Sequence, residues 1–486
     1  MYLGLDCGTS GLKALLVDES GAPLASATRA YAPDRPKPNW SEQDPNVWRT
    51  AMAGAVADLR RSTAKAVDAV RAVSFSGQMH GVVLVDGDGH PERPAILHND
   101  ARASREAADL ASARPELAAV VGVKAMASFP GPKMLWLSRH DPVAVGKPHF
   151  IVAPKDYLRL ALTGQLATDM SDAAGSWLLD EAARAWSTEA ADACRVDPAW
   201  LPPLVESTAP AGKIQPGAAA EFGLPAGAIV AAGAGDAAAG ALGLGAIARD
   251  EAFISLGTAT QMIVATDRYL SAPEKLVHSF AHALPDRWFA MAAMLNGAGA
   301  LAFASRLLGA TPGALESEAA QNYRGPGKLL FLPYLSGERT PLDDLNARGV
   351  LFGMSETTSR ADVARAVMEG VAMTLAEARD CLFAAGARFG RAGLIGGGAR
   401  SDVWTRMIAS TTGLTIARME SGETGPALGA SRIARIAATG EAPEAVCAAP
   451  AVTSVTEPEP ELAEAFAGQR ERFRALYAAV KAEFRK

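Results

Sequence analysis

Asp236 lies in AAGAGDAAAGALG, and no other charged residue occurs between Val230 and Ile247. A lone carboxylate among alanines and glycines is expensive to bury without a partner or a chemical task. Two roles fit its position before a small-residue helix: an N-cap, or a general base that takes the proton of a bound hydroxyl. Asp6 is the second carboxylate of interest. It ends the apolar run of MYLGLDCGTS, just before a turn of Gly8, Thr9 and Ser10. A carboxylate there can hold Mg²⁺, directly or through water, or cap the turn. Tight Gly/Thr turns aim several backbone N–H groups at one point, where phosphate oxygens can bind. Gly8-Thr9 forms one such turn and Gly257-Thr258 another. Gly396-Gly397-Gly398 clears side chains from a strand-to-helix turn, making room for a flat ring or a phosphate, or for the turn alone.

Other chemistries lack their motifs. No GxxxxGK[ST] is present, and the GxGxxA matches at Gly243 to Ala248 and Gly297 to Ala302 have no Rossmann context. The four cysteines, Cys7, Cys194, Cys381 and Cys447, are far apart with no CxxC, and the seven histidines include no HExxH. Neither a zinc ribbon nor a disulfide framework is expected, and a reducing cytoplasm fits best. The net charge of −6 gives no basic field for nucleic acid. The N-terminus lacks a signal peptide's basic region, and no apolar run approaches the roughly 20 residues of a membrane span.

The elements that carry these residues occur twice. YLGLD and LKALLVD flank the first turn as a hairpin, and a third strand is predicted over Pro23 to Ala30. FISLGTATQMIVATD, Phe253 to Asp267, repeats the hairpin near half-length, with Asp18 aligning on Asp267. A chain of 486 residues, 49% hydrophobic, is long enough for two cores. The division is placed at residues 1–246 and 247–486. Strand-then-helix units follow in each half: AVRAVSFSGQM, IVAAGAGDAAAGALGLG, GLIGGGARSDVWTRMIAS, then LTIARME and PALGASRIARIAATG. Such alternation implies an α/β fold with helical crossovers between parallel strands. Helical spacing of Leu462, Phe466, Phe473, Leu476, Tyr477, Val480 and Phe484 predicts a packing helix at the C-terminus.

Longer stretches carry a family likeness. FPGPKMLWLSRH (Phe129 to His140) and GVLFGMSETTSRADVARAVMEGVA (Gly349 to Ala372) resemble the two signatures of the FGGY carbohydrate kinases. GQMHG (Gly77 to Gly81), PKDYLRLALTG, SDAAG, HSFAHALP and FLPYLSGERTP are similar to the members that phosphorylate D-xylulose. The resemblance implies two ribonuclease H-like (actin-like ATPase) domains with a cleft between them. Sugar would bind deep in the first domain, and ATP mostly on the second. Asp236 would be the catalytic base, and Asp6 the acidic residue near Mg²⁺ and the phosphates. Met79 and His80 would contact the sugar, with Asn99 and Asp100 a substrate-side pair. Gly8, Thr9, Gly257 and Thr258 would hold phosphates, and Gly397 and Gly398 would line the adenosine site. The partners implied are MgATP and a small sugar, with a homodimer left open. The chain departs from its likeness at one point. The similar members carry Trp before Asn-Asp and Gly-Arg after it, whereas this chain reads His98-Asn99-Asp100-Ala101-Arg102.

Overall fold

A computed structural model describes residues 1–146, 150–420 and 425–485. In the first half, β1 (Tyr2–Cys7), β2 (Gly11–Val17) and β3 (Pro23–Ala30) form an antiparallel meander. Helix α1 (Pro45–Asp68) follows. Its start is set by Asp44, whose carboxylate accepts the Asn46 N–H, and by Pro45 in the first turn. Strand β4 (Ala72–Gly77) then pairs with β1 in parallel, and all six of its residues are buried.

Helices α2 (Pro130–His140), α3 (Pro154–Thr163) and α4 (Met170–Ala174) come next. β5 (Pro210–Lys213), β6 (Ile229–Ala231) and β7 (Ala234–Gly235) complete the first sheet, in the order β5-β6-β4-β1-β2-β3 with β7 also paired to β4. Helix α5 (Asp236–Gly243) leaves β7 directly.

The second half repeats the plan. β8 (Ala252–Leu256) and β9 (Thr260–Thr266) form the second hairpin, followed by β10 (Val277–Ala281), β11 (Trp288–Met294) and α6 (Ala298–Leu308). α7 (Arg360–Ala384) starts on a capping box of Ser359 and Asp362. β12 (Arg391–Ile395), α8 (Asp402–Thr412), β13 (Thr415–Met419), α9 (Pro426–Thr439), β14 (Val452–Thr456) and α10 (Pro460–Val480) complete it. The second sheet runs β10-β11-β9-β8-β12-β13-β14. Each hairpin's first strand therefore has an antiparallel neighbour on one side and a parallel one on the other: β1 between β2 and β4, and β8 between β9 and β12.

Packing does not follow chain order. α9 lies against β1, β4 and α5 of the first half. Gly4 permits this approach, because a Cβ there would run into Ala427 O. One buried cluster also joins Met79, Ala238 and Leu242 to Phe253, Phe280, Phe289 and Ile433. The C-terminal α10 buries Leu462, Phe466, Phe473 and Leu476, with Tyr477, Val480 and Phe484 packed beside them. Among the described residues no helix is long and apolar enough to cross a membrane.

Candidate active site

The site forms where three neighbouring strands end. β1 and β4 are in register with Asp6 opposite Ser76 and Cys7 opposite Gly77, while β7 sets Ala234 and Gly235 opposite the same two β4 residues. Asp6, the Gln78-Met79-His80 run and Asp236 therefore emerge together at the carboxyl ends of adjacent parallel strands, where ligand clefts of α/β folds open.

Asp236 is the first residue of α5, and Gly235 occupies the cap position. It keeps partial solvent access at the floor of the cleft. Burial pushes its carboxyl up to about 7; the nearby charge of Asp6 adds to this, and the Ala237 N–H partly offsets it. Asp6 is raised by burial as well, against a 2.7 Å hydrogen bond from Ser76 Oγ and the charge of Lys13. Two carboxyls facing one cleft disfavour each other's ionisation. The hard oxygen donors of Asp6, with the Ser76 hydroxyl beside it, suit a magnesium ion that would relieve this repulsion.

The first turn is closed by hydrogen bonds. Gly8 N–H donates to Gly11 O at 3.0 Å, Tyr31 Oη to Gly8 O at 2.8 Å, and Thr9 Oγ1 to Gln78 Oε1 at 3.1 Å. The second turn rests on the start of α6: Ala298 N–H donates to Gly257 O at 2.7 Å and Gly299 N–H to Thr258 O at 3.2 Å. Gly297 and Gly299 make the approach feasible, since a Cβ on Gly299 would stand 2.8 Å from Thr258 O and one on Gly297 2.7 Å from Gly257 O. The GxGxxA match at Gly297 thus serves helix seating. Thr258's side chain is exposed. Gly396, at φ +97°, leads into the exposed Gly397 and the buried Gly398. A Cβ on Gly398 would stand 2.5 Å from Leu256 Cδ2, so the triple glycine abuts the strand end that precedes Gly257. One nucleotide could span both.

On the first-half side, Met79 is a buried wedge. A Cβ on Gly235 would meet its Cγ at 2.7 Å, and one on Gly175 its Cε at 2.7 Å. His80 takes φ +68°, a conformation that strains non-glycine residues and is retained where the surroundings enforce it. Its Nδ1 pairs with Gly175 O at 2.7 Å and its ring meets Phe129 edge-on at 4.6 Å. Burial holds the imidazole well below its usual pKa. The neutral ring donates from Nδ1 to the carbonyl, leaving Nε2 as an acceptor.

His98 is half-buried and lowered to about 4 by burial, then by Lys133, Arg339 and Arg35. Asn99 is exposed. Asp100, expected in a substrate-side pair with Asn99, is buried and engaged by the protein itself. Its carboxylate accepts four N–H groups, from Ser41 N, Arg102 N, Arg102 Nε and Arg102 Nη2, at 2.6, 2.9, 2.9 and 2.7 Å. Two donors on each oxygen saturate it, and they fix the loop that carries His98 and Asn99.

Several residues around the site are not singled out by sequence reasoning. Lys133 Nζ, fully buried, donates to His80 O and Ser128 O, both at 2.6 Å. His278 comes from the second half and packs by Phe129 and Phe280. With Arg339, Trp177 and Met126 it lines a cavity of about 420 Å³ at the seam between the halves. Asp6, Asp236 and the glycine turns do not line that cavity. His278 and Arg339 stand in HSFAHALP and FLPYLSGERTP, and those stretches were the available signal.

The fold and these stretches have relatives. The model of the FGGY family of carbohydrate kinases, N-terminal domain, matches residues 1–243, and that of the C-terminal domain matches 252–438. The xylulose kinase of Escherichia coli (strain K12) is 41% identical over 480 residues, 98% of each chain. A crystal structure of a xyloylose kinase from Brucella ovis superposes with a TM-score of 0.95 at 42% identity over 99% of each chain. The xylulose kinase from Rhodospirillum rubrum does so at 0.92 and 27% identity over 100% of each. The two hairpin-led sheets are the two domains of the actin-like, ribonuclease H-like kinase fold, and the chain belongs to the FGGY family of carbohydrate kinases.

Proposed function

We propose that this chain transfers the γ-phosphoryl group of ATP to O5 of D-xylulose, with Asp236 as general base. The observation that carries the chemistry is that Asp236, Asp6 and the first Gly/Thr turn emerge together at the carboxyl ends of β7 and β1, on either side of β4, where burial raises both carboxyls. The sugar is inferred from likeness to xylulose kinases at 41% identity across nearly the whole chain.

In this reading the sugar's primary hydroxyl lies against Asp236. Its proton passes to the carboxylate as the oxygen bonds to γ-phosphorus, and the bond from γ-phosphorus to the bridging oxygen breaks to release ADP. His80 Nε2 accepts a sugar hydroxyl, and Met79 packs under the carbon chain. The Thr9 amide, in the turn that the Gly8 N–H closes onto Gly11 O, and the amides at Gly257-Thr258 hold phosphate oxygens, and Gly397 and Gly398 face the adenosine. Asp6 would hold Mg²⁺, which when bound offsets charge on the phosphates. Closure of the cleft excludes water, which would otherwise compete as acceptor. A cytoplasmic location fits the four free cysteines and the use of ATP.

A coupled ADP-release assay across pentuloses, hexuloses and polyols tests the substrate. D-Xylulose should give the highest kcat/KM, and a higher value for another sugar overturns the assignment. The nucleotide side has its own test. Thr258→Val keeps the turn's backbone bonds but removes the exposed hydroxyl. Hydrogen bonds to charged groups contribute about 1.5–3 kcal/mol, so KM for ATP should rise roughly tenfold or more. Ketose affinity, measured by calorimetry, should stay unchanged. Lost ketose binding with normal ATP use counts against the placement.

A further inference from the structure

Below the proposed base lies a buried polar network that the reaction does not use directly. Lys155 is fully buried, with Nζ 2.6 Å from Asp156 Oδ1, 2.8 Å from Asp169 Oδ1 and 3.6 Å from Asp172 Oδ2. The other oxygen of Asp169 accepts Ser171 Oγ–H at 2.5 Å, Ser207 Oγ–H at 2.6 Å and Ser171 N–H at 2.8 Å. Ser171 is itself fully buried, and its Oγ in turn accepts the Gly235 N–H at 3.1 Å. Gly235 immediately precedes Asp236. A continuous path thus runs from the Lys155 ammonium through Asp169 and Ser171 to the backbone that launches α5.

The neighbouring backbone is held on the same side. Gly233 N–H donates to Ser207 O at 3.1 Å, and Lys155 Nζ reaches Ala232 O at 3.5 Å. Gly233 has φ +88°, and a Cβ there would stand 2.5 Å from Phe75 O. Met79 blocks Gly235 from the other side. The Ser171 bond to Asp169 is charge-assisted, and such bonds are short and strong. A group that must meet a hydroxyl in line with phosphorus tolerates little displacement, and a misplacement near 1 Å costs about 10²-fold.

We propose that Ser171 is a positioning residue for phosphoryl transfer: it passes the fixed geometry of the Lys155–Asp169 pair to Gly235 N–H and so sets the aim of the Asp236 carboxylate. This rests on the reading of Asp236 as the base. The hydroxyl is buried and spent on Asp169 and Gly235, so its effect should fall on kcat.

The test is a double-mutant cycle of Ser171→Ala and Asp236→Asn in the full chain, with kcat, both KM values and melting temperature for each variant. Ser171→Ala alone should lower kcat about 10–100-fold with both KM values within about twofold. In the Asp236→Asn background the same change should cost less than about twofold, because the group it aims can no longer act. An equal loss in both backgrounds overturns the proposal while leaving the base in place. So does a Ser171→Ala loss that matches only its unfolded fraction, or one that falls on KM. Wild-type turnover in Asp236→Asn alone removes the base reading, and this proposal with it.

Discussion

Asp236→Asn is expected to lower kcat by about 10²–10⁴-fold, the usual contribution of a positioned general base, while ATP and ketose still bind. The substitution preserves shape and removes the proton acceptor. Its neighbours along the chain are small and apolar, and α5 buries Ala238, Ala239, Ala241 and Leu242, so nothing on that helix can replace the carboxylate. A helix-end role makes a different forecast. Near-normal turnover would survive in Asp236→Asn, and Asp236→Ala would lose stability. Gly235, not Asp236, holds the cap position, which already favours the chemical role.

The pH dependence adds a second reading of the same residue. Burial and Asp6 push the carboxyl up to about 7, and the base works only when deprotonated. The free enzyme's kcat/KM should therefore fall about tenfold per pH unit below that value and level off above it. Asp236→Asn should abolish this acid limb. An acid limb that persists unchanged in the variant assigns it to another group.

Much of this site could be read from the residues, and what could not be read has a common cause. Both hairpin turns were legible because Gly/Thr chemistry between apolar runs is local, and the strands fall at Tyr2–Cys7, Gly11–Val17, Ala252–Leu256 and Thr260–Thr266. Asp236 stood out because a charge among alanines is a one-dimensional signal. Lys155-Asp156 gave no such signal. Adjacent opposite charges at a helix start read as a solvated pair, yet both are fully buried, closed over by Asp169 and Asp172 from another segment. The surroundings of Asp100 were hidden for the same reason: Ser41, 59 positions away, takes part of its hydrogen-bonding capacity, and no local pattern records that. Pro426–Thr439 was legible as a helix, but its apolar face does not say which sheet it covers.

That last helix allows a test in which the sign of the effect decides. Gly429 lies inside α9 where it crosses α5, and a Cβ there would fall far inside contact distance of Ala239 O, three residues on from Asp236. In a helix interior Gly→Ala ordinarily stabilises by about 1 kcal/mol. Here the added methyl meets backbone, which cannot rotate away, and overpacking of a tight core costs about 1–3 kcal/mol, occasionally more. The net change for Gly429→Ala should therefore be a lower melting temperature. Activity should fall further than stability explains, because the displaced partner is the helix that carries the base. A neighbouring control is Gly440→Ala at the end of α9. Nothing crowds that position, but φ is +70°, so its cost should be confined to local backbone strain and leave kcat intact. If Gly429→Ala raises the melting temperature and keeps kcat, then α9 and α5 are not packed backbone to backbone, and the second half does not hold the catalytic helix in place.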